Sequence, residues 1–99
     1  MKVIVRESVY EDLRETVLFY EAQEKGVGQA YLAHIFGEID QLANFAGTHG
    51  RSGKFYRAIV QKHHTAIFYI LTEDLLDIRR VIDLRRHPKW IRHELKRSQ

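Results

Sequence analysis

Val3 and Val5 alternate with Lys2, Ile4 and Arg6 in a run rich in β-branched residues, which predicts a short strand over residues 2–7. Ser8 stands three residues before Glu11, the spacing of a capping box, so a helix is expected to begin there. Within it Val9, Leu13, Val17 and Tyr20 recur at three and four residues, turning one apolar stripe inward and leaving Asp12, Glu15, Glu24 and Lys25 largely in water. Gly26-Val27-Gly28 ends that helix, because glycine tolerates the left-handed backbone of a C-cap. A second helix is predicted from about Gln29, with Leu32, Ile35, Phe36, Ile39, Leu42 and Phe45 as its buried face. So short a turn makes the two helices antiparallel.

Residues 47–53 contain three glycines and no periodicity, and read as a loop. Three strand-like runs follow, Phe55–Lys62, Thr65–Leu71 and Leu75–Arg85, with His63-His64 and Glu73-Asp74 as the turns between them. Connections this short make a meander. The order β-α-α-β-β-β predicts an α+β domain: an antiparallel-rich, four-stranded sheet covered on one face by an N-terminal helical hairpin. The first strand is assigned to an edge by default, and the tail from Pro88 to a short helix whose first turn suits proline.

At 99 residues the chain is one domain. It has no cysteine, hence no disulfide, thiolate nucleophile or thiolate metal site. Its first residues are too polar for a signal peptide, and no apolar run approaches the roughly 20 residues of a membrane helix, so the expected compartment is the cytoplasm. The net charge of +3 conceals a split. Residues 1–50 hold 4 Lys/Arg against 8 Asp/Glu, whereas residues 51–99 hold 12 against 5. The second half therefore carries +7 and would steer anionic partners towards itself.

Much of that charge stands on or just beyond the last strand: Arg79, Arg80, Arg85, Arg86, His87, Lys89, Arg92, His93, Lys96 and Arg97, with Trp90 among them. If Leu76, Ile78, Ile82 and Leu84 face the helices, Asp77, Arg79, Val81, Asp83 and Arg85 share an open face. Arg79–Asp77 and Arg85–Asp83 ion pairs are then the structural alternative to target contact. Arg80 falls on the apolar phase. Either a bulge shifts the register there, or Arg80 snorkels or pairs with a helix carboxylate such as Glu38 or Asp40. Trp90 reads equally as an exposed anchor for a partner or as a lid on the core. Adjacent His63 and His64 point apart, and His87 and His93 have poor chelate spacing, so no metal or other cofactor is expected.

The chain resembles the RelE/ParE toxin superfamily of bacterial toxin–antitoxin pairs along nearly its whole length. The resemblance rests on Glu11-Asp12-Leu13 and Tyr20-Glu21, the Gly26-Val27-Gly28 turn, Leu32 and Ile39, Tyr56-Arg57-Ala58-Ile59-Val60, Ala66-Ile67-Phe68-Tyr69, and Val81 through Pro88. It is closer to the ParE-like, plasmid-stabilisation branch, whose last strand closes in a similar Arg-Arg-acid-Pro pattern before an aromatic. That implies a toxin silenced by a cognate antitoxin in a hetero-oligomer, and growth arrest by poisoning DNA gyrase without a catalytic site of its own. Arg79, Arg85, Arg86, His87, Lys89 and Trp90 are the expected target contacts. RelE-like members instead cleave messenger RNA on the ribosome.

Such cleavage needs a base, an acid and cations around the phosphate. The resemblance would put one arginine at Ala66, three residues before Tyr69, and a proton-exchanging tyrosine where Pro88-Lys89-Trp90 stands. Both are missing. Arg57, Arg79, Arg85 and His87 are the remaining ribonuclease candidates, with His87 as the acid. Outside the toxin class the alternative is a basic nucleic-acid-binding domain, though the chain lacks helix-turn-helix, zinc or RNP-type signatures.

Overall fold

The computed structural model describes all of residues 1–99. It is an α+β fold in the order β1 (Lys2–Val5), α1 (Glu7–Gln23), α2 (Val27–Leu42), β2 (Gly50–Ser52), β3 (Phe55–Val60), β4 (Thr65–Leu71), β5 (Leu75–Asp83) and α3 (Pro88–Arg97). The five strands form one open sheet in the order β1-β5-β4-β3-β2. The β2 to β5 neighbours are antiparallel; β1 lies at the edge, as expected, and runs parallel to β5. No helix is long and apolar enough to cross a membrane.

The sheet has five strands rather than four because Gly50-Arg51-Ser52, read as loop, pairs with β3. Three polar residues carry no alternation to detect. What creates the strand is its turn: Gly53 at φ 60° followed by Lys54 closes a two-residue hairpin, and a positive φ at the first central position is what the type II′ geometry demands. The first helix also begins differently from the expected capping box. Arg6 is its N-cap and offers no side-chain cap, while Ser8, inside the first turn, donates its hydroxyl to the Arg79 carbonyl. Beyond Val5 the outer edge of β5 has lost its neighbour strand, so α1 serves it: Ser8 at Arg79, and Asp12 accepting from the Val81 amide at 3.0 Å. Phe45 lies past the end of α2 and is 55% exposed, not buried.

The helical hairpin closes tightly at its joint. Gly26, at φ 92°, turns the chain, and the Glu21 carboxylate accepts from the amides of Gly26 and Gln29, so α1 itself caps the start of α2. These amides hold the Glu21 carboxyl below its ordinary pKa. A β-carbon on Gly28 would sit 2.6 Å from the Val17 carbonyl oxygen; only glycine lets the helices approach this closely.

Both faces of the sheet are covered, which corrects the expectation of one open face. On one side Val9, Leu13, Tyr31, Ile35, Ile39 and Leu42 of the hairpin meet Ala58, Val60, Ile67, Tyr69, Leu76, Ile78 and Val81. On the other, Leu95 of α3, with Trp90 and Ile91 alongside, covers Phe55, Ala66, Phe68 and Ile82. The phase of β5 explains how one strand serves both. Phe68 pairs with Arg80 and Tyr69 with Ile78, so Arg79 is an extra residue, a bulge. Leu76 and Ile78 face the hairpin before it; Val81 faces the hairpin after it, and Ile82 and Leu84 turn to α3. The uniform alternation expected for Leu76, Ile78, Ile82 and Leu84 is broken by that single residue.

Candidate docking surface

β5 ends at Asp83, two residues earlier than its pattern implies, and residues 84–87 carry the chain round to α3. His87 is the N-cap of α3, its Nδ1 accepting from the Lys89 amide at 3.0 Å, and Pro88 follows in the first turn. That corner sets Arg85 and Arg86 against α1. Arg85 forks onto Asp83 through Nε and Nη2, with the shortest contact 2.7 Å, and the same Nη2 reaches the Tyr20 hydroxyl at 3.3 Å; these partners push its pKa up. The Arg86 guanidinium carbon lies over Trp90, 3.7 Å from the ring centroid, with Glu15 no nearer than 4.0 Å. Its side chain is 46% exposed.

Between this corner and α1 runs a groove of about 400 Å³, walled by Phe19, Tyr20 and Glu15 on one side and by Arg85, Arg86 and Trp90 on the other. Trp90 is half-buried, packing against the α3-side core while also lining the groove. Phe19 and Tyr20 were not among the residues expected here. Phe19 is 56% exposed, and its signal in the sequence is that it falls outside the three-and-four spacing of the α1 core stripe.

The middle of β5, at the bulge, treats its arginines differently. Arg80, 7% exposed in its side chain, forks onto Asp12 with two contacts of 2.8 Å and reaches Glu94 at 3.0 Å. Its carboxylate partners are therefore on α1 and α3, not Glu38 or Asp40 of α2, because α1 is the helix that crosses the β5 edge. Arg79 bonds Asp77 at 2.9 Å and the Ser98 carbonyl at 2.8 Å, tying β5 to the end of α3. Arg6 forks onto the same Asp77, and its bonds, outweighing burial, hold that carboxyl below its ordinary pKa. Glu94 is depressed in the same way, by Arg97 first and then by Arg80.

The ribonuclease candidates are not brought together. Arg79 sits in the bulge, while Arg85 lies in the turn beyond the end of β5, which at Asp83 is already about 13 Å from Arg79 at strand rise. Arg57 is exposed on β3, two strand spacings, or about 10 Å, from β5. Ala66 is fully buried under α3, and Tyr69, also buried, points to the opposite face, where its hydroxyl meets His49 and the Gly47 amide. His87 and Lys89 are exposed beside Arg86. The His63-His64 pair does form a turn, a 3-10 turn over Gln61–His63 followed by His64 in the left-handed region.

No protein-family model matches the sequence, and no curated protein matches it.

Proposed function

We propose that this chain is a ParE-like toxin of a type II toxin–antitoxin pair, acting in the cytoplasm by binding its target, with DNA gyrase as that target. The observation that carries the mechanism is the corner where Arg85, Arg86 and Trp90 meet Phe19 and Tyr20 around one groove. It has the makeup of a protein docking surface: an indole and a guanidinium stacked as a rigid amphipathic anchor, aromatic walls and a charged rim. His87 and Lys89 extend it. The resemblance along the chain supplies the class, and a cognate antitoxin is the second partner.

Cleavage of messenger RNA on the ribosome is the competing activity, and what weighs against it is the scatter of Arg57, Arg79 and His87 together with the uncharged, buried Ala66. Expression should arrest growth, with rescue by a co-expressed neighbour protein. Purified chain in a gyrase supercoiling assay, beside toeprinting on translating ribosomes, separates the two. Trapped gyrase supports docking; codon-linked cuts would transfer the function to the ribonuclease reading, and a soluble, non-toxic chain would remove both in favour of a basic nucleic-acid-binding domain.

A further inference from the structure

The turn between β3 and β4 is built from poorly satisfied parts. His64 is the only non-glycine residue with positive φ, at 50°, in the left-handed region that most side chains avoid and that His, with Asn and Asp, enters more often than the rest. Beside it the His63 ring packs edge-on against His34 of α2, with centroids 4.9 Å apart, and against Tyr31 at 5.0 Å. His63 Nε2 and His34 Nδ1 are both buried without a hydrogen-bond partner on the protein. The turn is nonetheless tied to the docking corner: the Leu84 amide donates to the His64 carbonyl at 2.8 Å, one residue before Arg85.

The groups around His63 offer a proton no counter-charge. From α1 comes Tyr20, and from α2 come Tyr31 and His34. Glu38 pairs with the Nε2 edge of His34, at 3.4 Å, rather than with His63. The turn itself contributes Lys62 and His64, and the Asp83 carboxylate of β5 is occupied by Arg85. A neutral His63 ring fits among these aromatics. An imidazolium there would be desolvated and would face cations or potential cations on two sides.

We propose that this turn is an acid-operated latch: when His63 takes up a proton the turn lifts from the helical hairpin and, through the His64–Leu84 bond, loosens the corner that carries Arg85 and Arg86. The sign follows from linkage. Burial, then His34 and Lys62, hold the His63 pKa below its ordinary value, so the closed turn binds fewer protons than the open one. Closure is complete above the ordinary imidazole value of about 6.5 and is lost progressively as pH falls below it.

Amide exchange followed by NMR tests this without any target, independently of the toxin reading. Between pH 7.5 and 5.5 the protection factors of the His64 and Leu84 amides, corrected for intrinsic rate, should fall severalfold, up to the limit of about tenfold for one imidazole titrated one unit below its ordinary pKa. The amide of Ile67, in central strand β4, should hold its protection. In His63→Phe, which keeps a ring and loses the proton site, Leu84 protection should be flat; His63→Gln serves the same purpose if the phenylalanine variant does not fold. Unchanged Leu84 protection in the wild type, an equal fall in the variant, or a parallel fall at Ile67 would each overturn the latch.

Discussion

Arg80 and Arg86 stand six residues apart, one in the middle of β5 and one in the turn beyond it, and they illustrate two uses of the same side chain. Arg80 is enclosed by Asp12 and Glu94, its charge matched by carboxylates from the first and last helices. Arg86 is held by the face of an indole, with its nearest carboxylate at 4.0 Å. Stacking fixes a guanidinium in place while leaving most of its N–H donors unclaimed. Carboxylates fix it by consuming them. Basic composition alone therefore overstates the proposed docking surface: Arg79 and Arg80 serve the junction of α1, β5 and α3, and of the two arginines in the turn beyond β5, Arg85 is committed to Asp83 while Arg86 has no close carboxylate.

The sharpest way to break this comparison is to remove Arg80. Arg80→Met would leave the largely buried Asp12 carboxylate without its cation and Glu94 with Arg97 alone, and a loss of about 3–5 kcal/mol in unfolding free energy is expected by urea titration. Arg86→Met should cost less than about 1 kcal/mol by the same measurement. Similar costs for the two would mean that Arg86 is as structural as Arg80. Function should show the reverse order. Replacing Arg85 and Arg86 by Gln and Trp90 by Ala together is expected to weaken target inhibition at least tenfold, about 1.4 kcal/mol, while antitoxin affinity changes less. Equal losses in both would place the antitoxin, and not the target, on this groove.

How far the sequence reaches is also clearest along β5. Apolar periodicity found both helices of the hairpin and the three long strands, because each of these buries a repeating stripe, whereas the edge position of β1 was a default that no pattern in the chain carried. It could not find β2, whose pairing depends on a positive φ at Gly53 and not on any apolar side chain. Nor could it locate the bulge at Arg79, since one inserted residue changes which face Ile82 and Leu84 occupy without altering the residues themselves. Arg80 on the apolar phase was the visible trace of that bulge. Its partners were not visible, because Asp12 is 68 residues away and becomes a neighbour only once α1 crosses the β5 edge. The groove required the same knowledge: Phe19 and Trp90 are joined by tertiary packing alone.

The carboxylates around Arg79 and Arg80 give a smaller effect, seen in acid. Asp77 and Glu94 both have folded pKa values below their ordinary ones, so the stability they confer is present above about pH 4 and is lost as pH falls through the depressed values. Arg6→Gln removes the largest cause of the Asp77 depression. Its urea midpoint should therefore fall less steeply between pH 5 and 2 than that of the wild type. Identical acid slopes would show that Arg79 alone holds the Asp77 charge.

His87 offers the finest distinction, because it has a structural duty and a candidate chemical one. Its Nδ1 caps α3 through the Lys89 amide, so His87→Ala should cost about 1 kcal/mol, typical of a lost N-cap. His87→Asn should recover most of that, since a short side chain with a terminal oxygen is a preferred cap. If the corner works by docking, target inhibition should follow the cap: slightly weakened in the alanine variant and restored by asparagine. An acid in RNA cleavage behaves otherwise, because asparagine cannot exchange a proton at neutral pH and both variants would lose cleavage alike. The asparagine variant thus separates holding α3 in place from delivering a proton, using the one residue at this corner capable of either.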